Sequence, residues 1–142
     1  MRIVKLFVIF IFCALLSGCG KQSLMCTKEE SNDTGKIKYN VSISFENKVI
    51  TKASLETIMN VSDDYKDYFL VMTGRFKDIL SSYEGKKGVE TDISSSGDEI
   101  KTIIKFNLEK MNDKDKKNTG FDSNGSKKSI KSYYEKEGFT CK

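Results

Sequence analysis

The 142-residue chain contains no histidine, and arginine occurs only at Arg2 and Arg75 among its 24 basic residues. Without histidine, Ser-His-Asp and Cys-His nucleophilic sites, HExxH metalloproteases and zinc sites with histidine ligands are excluded. The scarcity of arginine argues against bidentate recognition of phosphate. The glycines are scattered, so no glycine-rich phosphate loop is present. These absences remove the commonest catalytic sites, and we expect no cofactor.

Carboxylates are the remaining side chains that could bind a metal. Four oxygen-bearing residues cluster late in the chain and invite a calcium interpretation: Asp113, Asp115, Asp122 and Asn124. A calcium loop of the EF-hand type needs glycine at position 6 and glutamate at position 12. Starting from Asp113, position 6 is Asn118, and starting from Asp122, position 12 is Tyr133. Both registers fail, so we predict a solvated loop and no metal site.

The only long apolar run lies at the N-terminus. Arg2 and Lys5 form a short basic region, and about a dozen apolar residues follow, fewer than the roughly 20 that span a bilayer. The run ends in Leu16-Ser17-Gly18-Cys19, which has the pattern of a bacterial lipobox. This pattern favours lipoprotein processing over an ordinary secretory signal or a membrane helix. We predict a signal peptide over 1–18, with cleavage between Gly18 and Cys19.

The lipobox predicts a location for the protein. In lipoproteins of this type the Cys19 sulfur carries a diacylglyceryl group, whose two chains meet the requirement of roughly two for stable anchoring. The predicted location is therefore the extracytoplasmic face of the cell membrane, with the membrane as a partner through the acyl chains on Cys19. Residues 19–25 are expected to form a short tether and residues 26–142 a single domain.

The balance of charge gives little information about further partners. Removal of Arg2 and Lys5 with the signal peptide lowers the formal net charge from +4 to +2. Basic and acidic residues are interleaved along the chain, so we expect no nucleic-acid partner. A protein or cell-wall partner is left open.

Cys26 and Cys141 are the two cysteines that remain after Cys13 is removed and Cys19 is lipidated. An exported chain meets oxidising conditions, which favours a structural disulfide. Two free thiols and a redox pair are the alternatives, although a redox pair usually has Cys-x-x-Cys spacing. A bridge between them would close a loop large enough to contribute about 4–5 kcal/mol in the chain-entropy model.

Alternating polarity predicts two hairpins. In the first hairpin, apolar and polar residues alternate over 37–45, residues 46–48 form a turn, and the returning strand runs from Val49 to about Met59. The preceding segment 27–36 is predicted to be a strand end and a loop. A second hairpin is predicted with strands over 89–93 and 100–108.

Helical spacing predicts two helices. An apolar stripe with spacings of three and four residues predicts a long helix. The stripe consists of Tyr65, Tyr68, Phe69, Met72, Phe76, Ile79, Leu80 and Tyr83. The helix is expected to begin at an N-cap Ser62 and to end at Gly85. A shorter helix is predicted from Ser126 to Gly138, followed by a strand that would place Cys141 beside Cys26. The order β-β-β-α-β-β-α predicts an α+β fold with both helices packed on an antiparallel sheet.

Four segments carry a resemblance to a known group of proteins: Leu16-Ser17-Gly18-Cys19, Cys26-Thr27-Lys28, Tyr83-Glu84 with Gly88-Val89, and Glu137-Gly138-Phe139-Thr140-Cys141-Lys142. The chain resembles small uncharacterised lipoproteins of low-GC Gram-positive bacteria and, more distantly, the YehR-like lipoproteins. The resemblance implies a single α+β domain and supports a Cys26–Cys141 bridge. It implies no activity.

These observations predict a non-enzymatic binding or structural module at the cell envelope. Its contact surface would be the polar face of the sheet or the loop 111–125, and Tyr133 and Tyr134 form a further candidate contact. The alternatives are an envelope enzyme that uses thiol redox or carboxylate chemistry, and an accessory factor that binds cell wall or peptide.

Overall fold

The six strands form one antiparallel sheet in the order β4-β5-β3-β2-β1-β6. The computed structural model describes residues 20–121 and 125–142. Its elements are β1 (Lys21–Asn32), β2 (Gly35–Glu46), β3 (Val49–Val61), a 3-10 helix (Asp63–Tyr68), α1 (Phe69–Ser81), β4 (Val89–Ser96), β5 (Glu99–Asn107), α2 (Asp113–Asn118), α3 (Lys127–Lys136) and β6 (Thr140–Cys141). The predicted α+β fold, with its two hairpins, is confirmed.

Alternation along each strand gives the sheet two different faces. In β2, Val41, Ile43 and Phe45 are buried, whereas Ser42 and Ser44 point to the opposite side and stay partly exposed. Register extends this difference across neighbouring strands, because Ile43 pairs with Leu24 of β1 and Ala53 of β3. We call the side of Val41, Ile43 and Phe45 the apolar face and the side of Ser42 and Ser44 the polar face.

Helices cover the apolar face over two hydrophobic clusters. The larger cluster contains Leu24, Ile43 and Phe106, and Ile130 and Tyr134 of α3 pack against it. The smaller cluster consists of Met59, Val61 and Ile100 of the sheet, packed against Tyr65, Phe69, Met72 and Phe76. The apolar face therefore holds the hydrophobic core, as the sequence predicted.

The predicted long helix is divided into the 3-10 helix and α1, and α1 ends at Ser81, before Gly85. Ser62 has an extended backbone but makes no capping bond; its hydroxyl donates instead to the Asp33 carbonyl at 2.8 Å. A 3-10 helix has three residues per turn, so the apolar stripe changes phase where α1 begins. Tyr68, in the 3-10 helix, and Ile79, in α1, were both expected in the core but are exposed.

The predicted boundary between tether and domain needs correction. Strand β1 pairs with β2 along its whole length, from Lys21 opposite Glu46 to Asn32 opposite Gly35. Only Leu24 and Cys26 of β1 are buried, so the strand carries too few apolar residues for a clear period of two. The sheet thus begins at Lys21, and most of the predicted tether and of the predicted loop 27–36 is strand.

Candidate functional site

The polar face of the sheet is accessible across its three central strands. Its residues on β2, β3 and β5 alternate with the core residues, and they include Asn40, Ser42, Ser44, Lys52, Ser54, Glu56, Lys101 and Lys105. All eight of these side chains are partly or fully exposed. Hydroxyl, amide and charged groups therefore present a broad hydrogen-bonding surface.

A groove of about 390 Å³ lies on the polar face. Ten strand residues and two loop residues line the groove, and none of them belongs to a helix. The lining residues are Ser42, Ser44, Lys52, Ala53, Ser54, Gly88, Val89, Glu90, Lys105, Phe106, Asn107 and Lys110. We call this feature the polar groove. Three serine hydroxyls and three lysine ammonium groups dominate its side-chain chemistry, and Glu90 contributes one carboxylate.

Two backbone features shape the polar groove. The register of β2 and β3 shifts between Ser44 and Phe45, which introduces an irregularity at one side. At the other side the Gly88 carbonyl accepts a hydrogen bond from the Asn107 amide at 2.7 Å. Gly88 has φ +82°, and a Cβ there would lie 2.7 Å from the Asn107 carbonyl oxygen. A glycine is therefore required for this close approach.

Asn107 offers an unused hydrogen-bond acceptor beside the polar groove. Its Oδ1 atom is buried and has no hydrogen-bond partner among residues 20–121 and 125–142. Buried side-chain oxygens in proteins are normally hydrogen-bonded, so this atom is an exception. Because it has almost no exposed surface, a ligand in the groove could reach it only if the surrounding side chains moved. This acceptor is the feature of the groove that could not be deduced from the pattern of residues.

A polar network lies next to the groove, in the middle of the face. The Glu56 carboxylate accepts a hydrogen bond from Asn40 at 2.6 Å and pairs with the Lys101 ammonium at 2.6 Å. Hydrogen bonding to Lys101, and then to Asn40, lowers the pKa of Glu56 below its usual value. The same pair raises the pKa of Lys101. Both groups are therefore ionised at neutral pH and held in fixed positions.

The structure contains the predicted Cys26–Cys141 disulfide, with a sequence separation of 115. Strand β6 lies beside β1, and Met25 and Lys142 exchange backbone hydrogen bonds of 3.0 and 2.8 Å next to the bridge. Both cysteines are buried, with 1% and 7% of their surface exposed. The bridge joins the larger hydrophobic cluster and links the two ends of the domain.

The predicted lipidation and cleavage residues, Cys19 and Gly18, lie outside the described residues. Chain connectivity places them directly before Gly20 and Lys21, the first residue of β1. Among residues 20–121 and 125–142, no helix is long and apolar enough to cross a membrane.

The structure gives the two tyrosines of the candidate contact surface different environments. Tyr133 is 61% exposed, whereas Tyr134 packs against the larger cluster and meets the Phe139 ring at a centroid distance of 5.1 Å. Desolvation by burial accordingly raises the pKa of Tyr134. Tyr133 is therefore the more accessible of the two, and Tyr134 is partly buried.

The acidic segment has a structural role at the start of α2. Asn112 caps this short helix, since its Oδ1 accepts from the Asp115 amide at 2.8 Å and its Nδ2 donates to the Asp115 carboxylate at 2.7 Å. Met111 and Phe121, at either end of the helical segment, are buried in the core. Asp122 and Asn124 lie outside the described residues, within which no group of three or more potential metal ligands occurs.

Comparisons with known proteins extend the description of the fold. Models of known protein families and curated protein sequences gave no match to the chain. An NMR structure of a protein from Streptococcus pneumoniae TIGR4 is similar, with a TM-score of 0.55 and 16% sequence identity. The similarity covers 85% of this chain and 86% of the streptococcal protein. At this identity the likeness concerns the fold alone: nearly the whole chain shares its α+β architecture with the streptococcal protein.

Proposed function

We propose that this protein is a membrane-anchored lipoprotein of the bacterial envelope that acts as a non-enzymatic binding module. The observation that carries the proposal is the polar groove on a sheet face whose central side chains are accessible. The apolar face is occupied by the core, so the polar face is the side of the sheet that is free to contact a ligand.

The groove chemistry suits a hydroxylated, anionic ligand. Serine hydroxyls both donate and accept hydrogen bonds, so Ser42, Ser44 and Ser54 match the hydroxyls of a sugar or polyol. The ammonium groups of Lys52 and Lys105 would attract phosphate or carboxylate as point charges. Phosphate-bearing polyols and cell-wall glycans have this combination of groups and occur where an extracytoplasmic lipoprotein would meet them.

Support for the anchor comes from the lipobox and from the position of β1. The sheet begins two residues after Cys19, so lipid on that cysteine would hold the domain directly against the bilayer. The resemblance to small Gram-positive lipoproteins agrees with this assignment. The burial of both bridged sulfurs supports a structural role for Cys26 and Cys141, because redox-active cysteines are partly exposed.

The anchor is tested by mass spectrometry of the membrane fraction. We expect a mature chain that begins at lipidated Cys19, and loss of lipid in Cys19→Ala but not in Cys13→Ala. A chain that retains Met1, or one cleaved elsewhere without lipid, would contradict the anchor.

The binding role is tested by NMR titration of the mature protein in detergent with a glycerol phosphate oligomer and with a soluble peptidoglycan fragment. We expect chemical-shift changes at Ser42, Ser54 and Asn107, and at least a tenfold loss of affinity in Ser54→Phe, which would fill the groove. Ser94→Phe is the matched control, because Ser94 lies on the polar face outside the groove. Equal affinities for the two variants, or no binding of either probe, would refute this assignment of the groove.

A further inference from the structure

The two ends of the sheet carry opposite charge. One end of the sheet, which we call the Lys21 end, contains the first residues of β1, β3 and β4 and the last residues of β2 and β5. Seven lysines lie on the strands and loops of this end against four glutamates: Lys21, Lys48, Lys52, Lys86, Lys87, Lys105 and Lys110, with Glu46, Glu84, Glu90 and Glu109. Helix α2, whose Lys116 lines the same pocket as Glu46 and Val49, adds three lysines and two aspartates. Basic groups therefore predominate.

The opposite end, which we call the Asp33 end, is acidic. It contains the β1–β2 turn, the start of the 3-10 helix and the β4–β5 turn. The acidic residues there outnumber the lysines: Glu29, Glu30, Asp33, Asp63, Asp64, Asp67, Asp98 and Glu99, with Lys28, Lys36, Lys38, Lys66 and Lys101. The net charge of the whole chain is small, but its basic and acidic residues are concentrated at opposite ends of the strands.

Ion pairing increases the difference between the ends. At the Asp33 end, four of the five lysines pair with carboxylates: Lys28 with Glu30, Lys38 with Glu29, Lys66 with Asp63 and Lys101 with Glu56. None of the seven lysines at the Lys21 end has a carboxylate partner within the ranges 20–121 and 125–142. These seven lysines exceed the four glutamates around them and are held in no ion pair within these ranges, so they are available to an external anion.

The predicted anchor is attached to this same end. Gly20 is the one residue between Cys19 and Lys21, so acyl chains on Cys19 would bring the Lys21 end to the headgroups. The exposed Lys48 lies in the β2–β3 turn of this end, next to Val49, which is 45% exposed. Strand β1 has 12 residues, which places the Asp33 end about 40 Å away, well beyond a Debye length of about 10 Å.

We propose that the Lys21 end docks on the anionic lipid headgroups of the membrane that holds the anchor, so that the strands stand upright and the Asp33 end points away. This inference rests on the lipid anchor of the proposed function but not on the ligand of the polar groove. Negative headgroups would attract the unpaired lysines and repel the acidic end. Orientation would therefore be set by electrostatics, and attachment by the acyl chains.

The experiment uses mature lipoprotein, with lipid on Cys19 verified by mass, reconstituted in two kinds of vesicle. One contains phosphatidylglycerol in phosphatidylcholine, and the other contains phosphatidylcholine alone. Lysine acetylation, read by mass spectrometry, reports the accessibility of each ammonium group. In low salt we expect Lys48 and Lys87 to react at least threefold more slowly on the anionic vesicles, and Lys36 at the Asp33 end to be unchanged. High salt should remove the difference.

Charge reversal supplies the matched variants. Lys48→Glu with Lys87→Glu should abolish the protection of Lys110, whereas Lys36→Glu should leave it intact. Lys48 and Lys87 are exposed and lie outside the groove lining, so the fold and the ligand site are preserved. Equal reactivity on both vesicles by a protein that floats with them would overturn the orientation alone. If no chain with lipid on Cys19 can be obtained, or if the lipidated chain floats with neither vesicle, the anchor and the orientation are overturned together.

Discussion

The two faces of the sheet differ in their exposure to water: one holds the hydrophobic core and the other stays accessible. The apolar face contains the hydrophobic clusters and the Cys26–Cys141 bridge, and side chains such as Ile43, Ala53 and Phe106 are almost completely removed from water. The polar face has hydroxyls, an amide and an ion pair that stay accessible, and it contains the groove. Substitutions of adjacent residues on one strand should therefore have very different effects on folding.

Among the substitutions that test this comparison, removal of the disulfide is expected to cause the largest loss of stability. Cys26→Ala with Cys141→Ala should lower the free energy of unfolding by about 4–5 kcal/mol, because the bridge restricts a loop of more than 100 residues in the unfolded chain. Urea denaturation measures the change. The wild type unfolded with a reductant should match the variant. A reduced wild type that kept its midpoint would contradict a structural bridge and favour the redox alternative.

A neighbouring pair on β2 compares the faces directly. Ile43 is fully buried in the larger cluster, whereas Ser42 points to the polar face. Ile43→Ala should cost about 2–5 kcal/mol through lost burial and a residual cavity. Ser42→Ala should change stability by less than about 0.5 kcal/mol. Thermal and urea unfolding of both variants give the comparison, and similar losses for the two would show that the faces contribute equally.

The smallest effect concerns the polar face and depends on pH. The folded state lowers the pKa of Glu56 from its usual value of 4.5, so the carboxylate stabilises the fold above that value and loses this contribution as the pH falls through its folded pKa. Glu56→Gln should therefore cost about 1 kcal/mol or less at pH 7, and the difference from wild type should shrink below pH 4.5.

Denaturation curves between pH 3 and pH 7 measure this difference. Glu29→Gln is the control, because Glu29 is highly exposed and its ion pair with Lys38 is longer, at 3.8 Å. A cost for Glu56→Gln that stayed constant across this pH range would show that the carboxylate charge does not stabilise the face.

Local patterns predicted the strands with strong alternation better than they predicted β1 and the long helix. In the first hairpin, residues 37–45 alternate because one side is core and the other is water, so their structure agrees with the pattern. Strand β1 has few buried residues and is stabilised by its pairing with β2. A local sequence pattern does not reveal such pairing. The 3-10 geometry before α1 depends on contacts made by Ser62 with the distant Asp33.

The sequence by itself determined the alternation that separates the two faces, the α+β class and the two cysteines available for a bridge, because these follow from the order of residue types. Tertiary structure decided that Cys26 and Cys141 meet, that Gly88 approaches Asn107 beside the groove, and that charges interleaved along the chain segregate to opposite ends of the sheet. These properties depend on register and strand order, which bring together residues that are far apart in the chain.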